Sequence, residues 1–161
     1  MMSIAVCDDE ILECLTITEK IGKVLKELNI PHVIRQFTSG TKLLKAAESF
    51  DLVFLDILMP DLDGMETARL FREKSCENML VFLSASRKYV FDAYDVEAFW
   101  YLLKPLDMGK LKTVLIRAVE KTKKTSGDFI MVSKERQKIK LFLDDISYFE
   151  IMGRMIVVHG P

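Results

Sequence analysis

Five positions in this chain combine residue type and placement in a way that supports chemistry: the acidic pair Asp8-Asp9, then Asp56, Ser84 and Lys104. Each follows or ends a short apolar run: Ser3-Ile-Ala-Val-Cys7, Leu52-Val-Phe-Leu55, Met79-Leu-Val-Phe-Leu83 and Phe99-Trp-Tyr-Leu-Leu103. Continuous runs of this kind read as strands buried on both faces, as in a parallel sheet with helices on either side. Open α/β sheets bind ligands at the C-terminal ends of such strands, in the crevice where strand order reverses. Asp56 also has a plainer reading. An aspartate there can simply cap the turn that Pro60 and Asp61-Leu-Asp63-Gly64 announce.

With the strands ordered 2-1-3-4-5, the first and third are neighbours at the switch point, so Asp8, Asp9 and Asp56 converge on one crevice. Carboxylates roughly 5 Å apart repel by about 3 kcal/mol per pair at an effective dielectric near 20. A hard dication with oxygen ligands, Mg²⁺ being the best fit, offsets this from one side and the Lys104 ammonium from the other. A carboxylate so placed is set to attack phosphorus, while metal and lysine neutralise the equatorial oxygens of the transferring group. Ser84 can donate a hydrogen bond to one of those oxygens.

The elements that must hold these residues alternate along the chain. After the first strand, Ile11, Leu15, Ile21, Leu25 and Leu28 recur at helical spacing until Asn29 and Pro31 stop them. His32–Phe37 is a second strand, and Thr38-Ser-Gly40 leads into a short helix with Leu43, Leu44 and Ala47. A helix from Met65 to Glu73 buries Ala68 and Phe71, a short one spans Arg87 to Glu97, and the last runs from Asp107 to Lys124 on Leu111, Val114, Leu115 and Ala118. Five strand–helix repeats predict a doubly wound, five-stranded parallel α/β sheet of flavodoxin-like order 2-1-3-4-5, since an eight-fold barrel needs about twice the length. A flavodoxin-like cofactor site is disfavoured, because the three carboxylates repel a bare phosphate and no Gly/Ser/Thr-rich loop follows the first strand.

Composition sets outer bounds. The chain has 161 residues, half of them apolar, with a net charge of -1, which excludes disorder and any global attraction to nucleic acid or anionic membrane. Residues 1–124 carry 18 Lys/Arg against 19 Asp/Glu, and 125–161 carry five of each, so neither part is a basic arm. Cys7, Cys14 and Cys76 lack metal-ligand spacing and read as buried reduced thiols. No apolar run is long enough to span a bilayer, and the first strand meets Asp8-Asp9-Glu10 too early for a signal peptide. The expectation is a cytoplasmic protein without membrane attachment.

Residues 2–124 resemble a response-regulator receiver domain. The resemblance rests on Asp8-Asp9 after the first strand, Asp56-Ile-Leu-Met-Pro60 with Asp63-Gly64, Ser84-Ala85, and Tyr101 three residues before Lys104-Pro105. It implies that Asp56 accepts phosphate from a sensor histidine kinase. It also implies that Asp8 or Asp9, Asp56 and the Leu58 backbone carbonyl hold Mg²⁺, that Lys104 pairs with the phosphate, and that Ser84 is the switch hydroxyl followed by the Tyr101 ring. Pro60, Gly64 and Pro105 take structural roles, with the Lys104–Pro105 bond cis. Such a chain is a phosphoacceptor with slow autodephosphorylation, not a turnover enzyme. Outside the motif, Tyr101 would read as a plain core or edge aromatic. Trp100 departs from the small or acidic residue usual there, either filling a gap or adding an apolar anchor to the face used for dimerisation and docking.

From Thr125-Ser-Gly127 the pattern becomes β-rich, giving a receiver over 1–124, a linker over 125–128 and a partial output domain over 129–161. This last part resembles the opening of a LytTR-type DNA-binding domain, best at Leu143-Asp-Asp-Ile146-Ser-Tyr-Phe-Glu150. Lys134, Arg136, Lys138 and Lys140 alternate, which suits a phosphate-facing row or, more simply, a solvated hairpin. Unpaired strands there would invite pairing with a second chain, making a homodimer an expectation to test. The function so read is a two-component response regulator controlling transcription through DNA. The alternatives are a phosphorylation-dependent protein–protein switch without DNA binding, and an Mg²⁺-dependent phosphohydrolase. The last is disfavoured because no second carboxylate stands just after Asp56.

Overall fold

The computed structural model describes residues 1–160 except 47–49, 61, 75–77, 127–128, 135–136 and 154. Ala47, Asp61, Cys76 and Arg136 therefore lie outside the described residues, as does the side chain of Lys134. The elements are β1 (Met2–Cys7), α1 (Ile11–Glu27), β2 (His32–Phe37), α2 (Gly40–Lys45), β3 (Leu52–Asp56), α3 (Gly64–Lys74), β4 (Met79–Ser84), α4 (Asp92–Asp95), β5 (Trp100–Leu103) and α5 (Met108–Ser126). They are followed by β6 (Phe129–Lys134), β7 (Gln137–Phe142), a 3-10 turn at Leu143–Asp145, β8 (Tyr148–Met152) and β9 (Met155–His159). Two compact units divide within α5, Met1–Ala118 and Val119–Pro161. Thr125 and Ser126 of the expected linker belong to that helix.

In the first unit, β1 to β5 form one parallel sheet in the order β2-β1-β3-β4-β5, the doubly wound architecture expected. Every residue of β3 and β4 is buried, as central parallel strands require. Strand alternation sends Ala5, Cys7, Val53, Leu55, Leu80 and Phe82 into a core shared with Leu43 of α2, Ala68 and Phe71 of α3, and Ala93 of α4. The alternate residues Ile4, Val6, Leu52, Phe54, Val81 and Leu83 are equally buried and point to the opposite face. α1 and α5 lie side by side, since Glu27 meets Lys112 at 3.4 Å and Lys20 reaches the Leu106 carbonyl.

Two elements differ from the periodicity reading. α1 buries Cys14, Ile17, Ile21, Val24 and Leu25, whereas Ile11 and Leu15 are 63% and 44% exposed. At about 100° per residue, Ile11 and Leu15 lie about 80° and about 120° round from Ile21 on the same side, beyond one edge of the buried stripe, so apolar identity alone misplaced the buried face. The helix expected over 87–97 is regular only over Asp92–Asp95. Ahead of it the backbone makes a tighter turn, with the Val90 amide bonding the Arg87 carbonyl at 3.2 Å.

In the second unit, β6 pairs with β7 and β8 with β9, both antiparallel, as two separate two-stranded ribbons. In the β8–β9 ribbon Tyr148 stacks on His159 at 4.4 Å, and the His159 imidazole meets Glu150 at 3.0 Å. Lys138 and Lys140 are exposed, and the Lys140 ammonium lies 4.7 Å from the centre of the Phe142 ring.

Candidate functional site

The backbone ladder brings the strand ends of the first unit level. Each ladder continues one step past its strand: the Asp8 amide bonds Phe37 O at 3.0 Å, Ile57 bonds Leu83 O at 3.1 Å, and Lys104 bonds Ser84 O at 2.8 Å. The side chains of Asp8, Asp56 and Lys104 thereby reach one another. Lys104 Nζ lies 2.8 Å from Asp8 Oδ2 and 2.6 Å from Asp56 Oδ1. Both carboxylates are almost wholly buried, at 1% and 4% exposure, while Lys104 is partly exposed. Asp8 also accepts the Glu10 amide at 3.0 Å, and Asp56 accepts a backbone bond from Leu58.

The electrostatics follow from that burial. Desolvation raises the Asp56 carboxyl above its ordinary value, against the pull of the Lys104 ammonium. Burial alone would lower Lys104, but its bonds to Asp56 and Asp8 win and hold it above the usual lysine value. Cys7, just before the acidic pair, is pushed up to about 12, first by burial and then by nearby Cys14 and the carboxylates. The Lys104 ammonium is thus held between the Asp8 and Asp56 carboxylates.

Asp8, Asp9, Asp56, Leu58, Lys104 and Pro105 line one cleft of about 470 Å³. Among the described residues no three His, Cys, Asp or Glu side chains are gathered tightly enough to make a ready metal cage. That still suits Mg²⁺, which keeps several waters and takes one or two protein carboxylates together with phosphate oxygens. The donor set here, hard oxygens of two or three carboxylates, matches that chemistry.

Ser84 is fully buried and does not line the cleft. Its Oγ accepts the Ser86 amide at 3.1 Å. Tyr101 packs against the core and donates to the Ser86 carbonyl at 2.6 Å. Burial raises its hydroxyl above the usual tyrosine value. Ser86 was missed in the sequence, although serines two apart are a signature of side-chain-to-backbone turns. Its own Oγ accepts the Lys88 amide at 3.1 Å, so one residue links Ser84, Tyr101 and the approach to α4. Met59 was missed too; its sulfur accepts the Cys7 thiol at 3.7 Å.

The turn after β3 separates two roles for aspartate. Asp63 Oδ1 accepts the Glu66 amide at 2.8 Å and so caps α3. Asp56 faces the cleft. Gly64 donates its amide to Ile57 O at 2.9 Å. A Cβ there would lie 2.1 Å from Asp56 O, so only glycine fits. Pro60 is exposed, and the Lys104–Pro105 bond is cis. Trp100 is half-buried, with the Arg117 guanidinium 4.8 Å from its ring centre.

A doubly wound sheet with two buried carboxylates bridged by a lysine at its switch point defines a class, the response regulator receiver domain. That family's model matches residues 4–116, and the chain belongs to the family. Among curated relatives, the transcriptional regulatory protein YpdB of Escherichia coli K12 is 26% identical over 172 aligned positions, covering 98% of this chain and 69% of that protein. An uncharacterized response regulatory protein of Vibrio cholerae is 36% identical, over 65% of this chain and 40% of its own. Among solved structures, the BeF3-activated receiver domain of DrrB is 28% identical with a TM-score of 0.62, covering 74% of this chain and 99% of that one. The response regulatory domain of MrkE from Klebsiella pneumoniae is 25% identical with a TM-score of 0.64, covering 74% and 97%.

Proposed function

We propose that Asp56 is the phosphoacceptor of this receiver and that a sensor histidine kinase is the donor. The observation that supports this most is the single ammonium of Lys104 bridging Asp8 and Asp56 at 2.8 and 2.6 Å, with both carboxylates buried. An oxygen of Asp56 forms the new O–P bond as the P–N bond of the phosphohistidine breaks, and the imidazole keeps the electron pair. Lys104 then follows the charge from carboxylate to phosphoryl oxygen. Asp8, Asp9, Asp56 and the Leu58 carbonyl would hold Mg²⁺, which supplies neutralising charge to the phosphoryl oxygens when bound. Ser84 turns its hydroxyl toward the new phosphoryl group and gives up the Ser86 amide, and Tyr101 follows because the Ser86 carbonyl holds it. Hydrolysis returns the carboxylate slowly, with no turnover of other substrates.

The domain division 1–124, 125–128 and 129–161, with the last part opening a LytTR-type DNA-binding domain, is our reading of the tail; the name of YpdB, a transcriptional regulatory protein, supports the transcriptional role alone. Incubation with labelled acetyl phosphate and Mg²⁺ tests the acceptor. Up to one phosphoryl group per chain is expected, and none in Asp56→Asn. Equal labelling of that variant would refute the assignment, and sustained phosphomonoester turnover would favour a hydrolase. Footprinting with the protein carrying its complete output domain tests the DNA part; protein capture without DNA protection would support the protein–protein alternative.

A further inference from the structure

The stretch between β4 and β5 is held very differently at its two ends. Near β4, five of the eight residues 85–92 are exposed, the hydrogen bonds come from Ser86 and the turn that follows, and Tyr89 is half-buried against the core. Near β5, Ala93 and Val96 are buried in the core at 3% and 4% exposure. One side chain of α3 then gathers that end. Arg72 donates Nε to Val96 O at 2.9 Å, one terminal nitrogen to Asn78 O at 2.6 Å and the other to Glu97 O at 3.0 Å. Glu97 itself sits at φ +50, a left-handed conformation that a non-glycine residue keeps only when its surroundings hold it. Phe99 continues the anchorage by donating to Leu80 O at 2.8 Å.

We propose that Arg72 is a positioning residue that makes the C-terminal end of α4 the fixed pivot of the phosphorylation switch, so that backbone movement of the β4–β5 connection started at Ser84 is confined to residues 86–92. This rests on Asp56 being the phosphoacceptor. The physical reason is the planar fork of the guanidinium. Its charge-assisted bonds satisfy three carbonyls at once, one at the start of β4 and two at the end of α4, which no flexible ammonium does. The end tied to a buried strand stays, and the end tied through Ser86 to the switch hydroxyl moves.

Amide hydrogen exchange read by mass spectrometry on the whole chain, with acetyl phosphate and Mg²⁺ present or absent, is the test. In the unaltered protein, phosphorylation changes exchange over 86–92 by about fivefold or more and over 96–99 by less than about twofold. Equal changes at both ends would overturn the pivot. In Arg72→Met, resting exchange over 96–98 rises about tenfold, the phosphorylation-dependent change spreads into 96–98, and label uptake stays within about twofold. Unchanged exchange of the β3 and β4 amides shows that this variant is folded. A merely structural arginine would raise resting exchange without the spread, which would refute the proposal. Arg72→Lys is expected to behave like Arg72→Met, and a wild-type pattern would refute the role of the fork. If intact mass shows no phosphate on Asp56, the functional reading fails, and the resting exchange of Arg72→Met still decides whether the anchor exists.

Discussion

β3 and β8 are each five residues long and each four-fifths apolar, Leu52-Val-Phe-Leu-Asp56 and Tyr148-Phe-Glu-Ile-Met152, yet β3 is buried at every position and β8 exposed at every position. The difference lies in their neighbours. β3 is paired on both edges, with β1 and β4, and its two faces point into two apolar layers. Among the described residues β8 pairs with β9 alone, and a lone two-stranded ribbon is marginal in water. Apolar content makes a segment able to form a core strand; layers above and below make it one. The chemistry follows the same division. A lysine bridging two carboxylates gains its strength from exclusion of water, which the first unit provides and a thin ribbon does not.

The sharpest way to break this comparison is to remove one apolar side chain from each strand. Phe54→Ala should destabilise the protein by about 3–5 kcal/mol in urea denaturation, and Ile151→Ala by no more than about 0.5 kcal/mol. Similar losses would show that the ribbon is buried after all. A smaller contrast uses glycines. A Cβ at Gly64 would meet Asp56 O at 2.1 Å and Ile57 Cα at 2.7 Å, so Gly64→Ala should cost about 1–3 kcal/mol and slow labelling of Asp56. Gly153 has φ +64 and open space around it, so Gly153→Ala should cost only about 1 kcal/mol of backbone strain and leave labelling alone.

The smallest effect is a pH slope. The buried Cys7 thiol is pushed from 9.0 up to about 12, so above pH 9 the unfolded chain loses a proton that the folded chain keeps. Stability must then fall as pH rises through this window, by about 1 kcal/mol from this group between pH 9 and 10. Lys104, raised from 10.5, acts in the same direction: its contribution is full below 10.5 and lost as pH rises through its higher folded value. Denaturation midpoints across pH 8–10 should fall less steeply in Cys7→Ala than in the parent. An identical slope would mean that the thiol is not shielded.

The sheet was legible because β3 and β4 are unbroken apolar runs, and the site because its residues stand at strand ends, where order 2-1-3-4-5 must bring Asp8 and Asp56 together. The phase of α1 was not, since Ile11 and Leu15 are as apolar as Cys14 and Ile17 and only the sheet decides which stripe it covers. The turn ahead of α4 was hidden as well, because Ser86 and Arg72 act on backbone carbonyls and amides, which every residue possesses and no pattern of side chains announces. The tail's strands were visible as runs, but their pairing as two separate ribbons was not, because exposed and buried apolar alternation look alike on paper.

Trp100 has a practical consequence. It is the sole indole in the chain, it sits on β5 beside Tyr101, and a guanidinium lies 4.8 Å from its ring centre. The molecule therefore carries a native fluorophore on the strand that ends at Lys104. A turn of the neighbouring Tyr101 ring or a change in the guanidinium over the indole alters a single emission band, so the switch can be timed in a stopped-flow cell without attaching any dye.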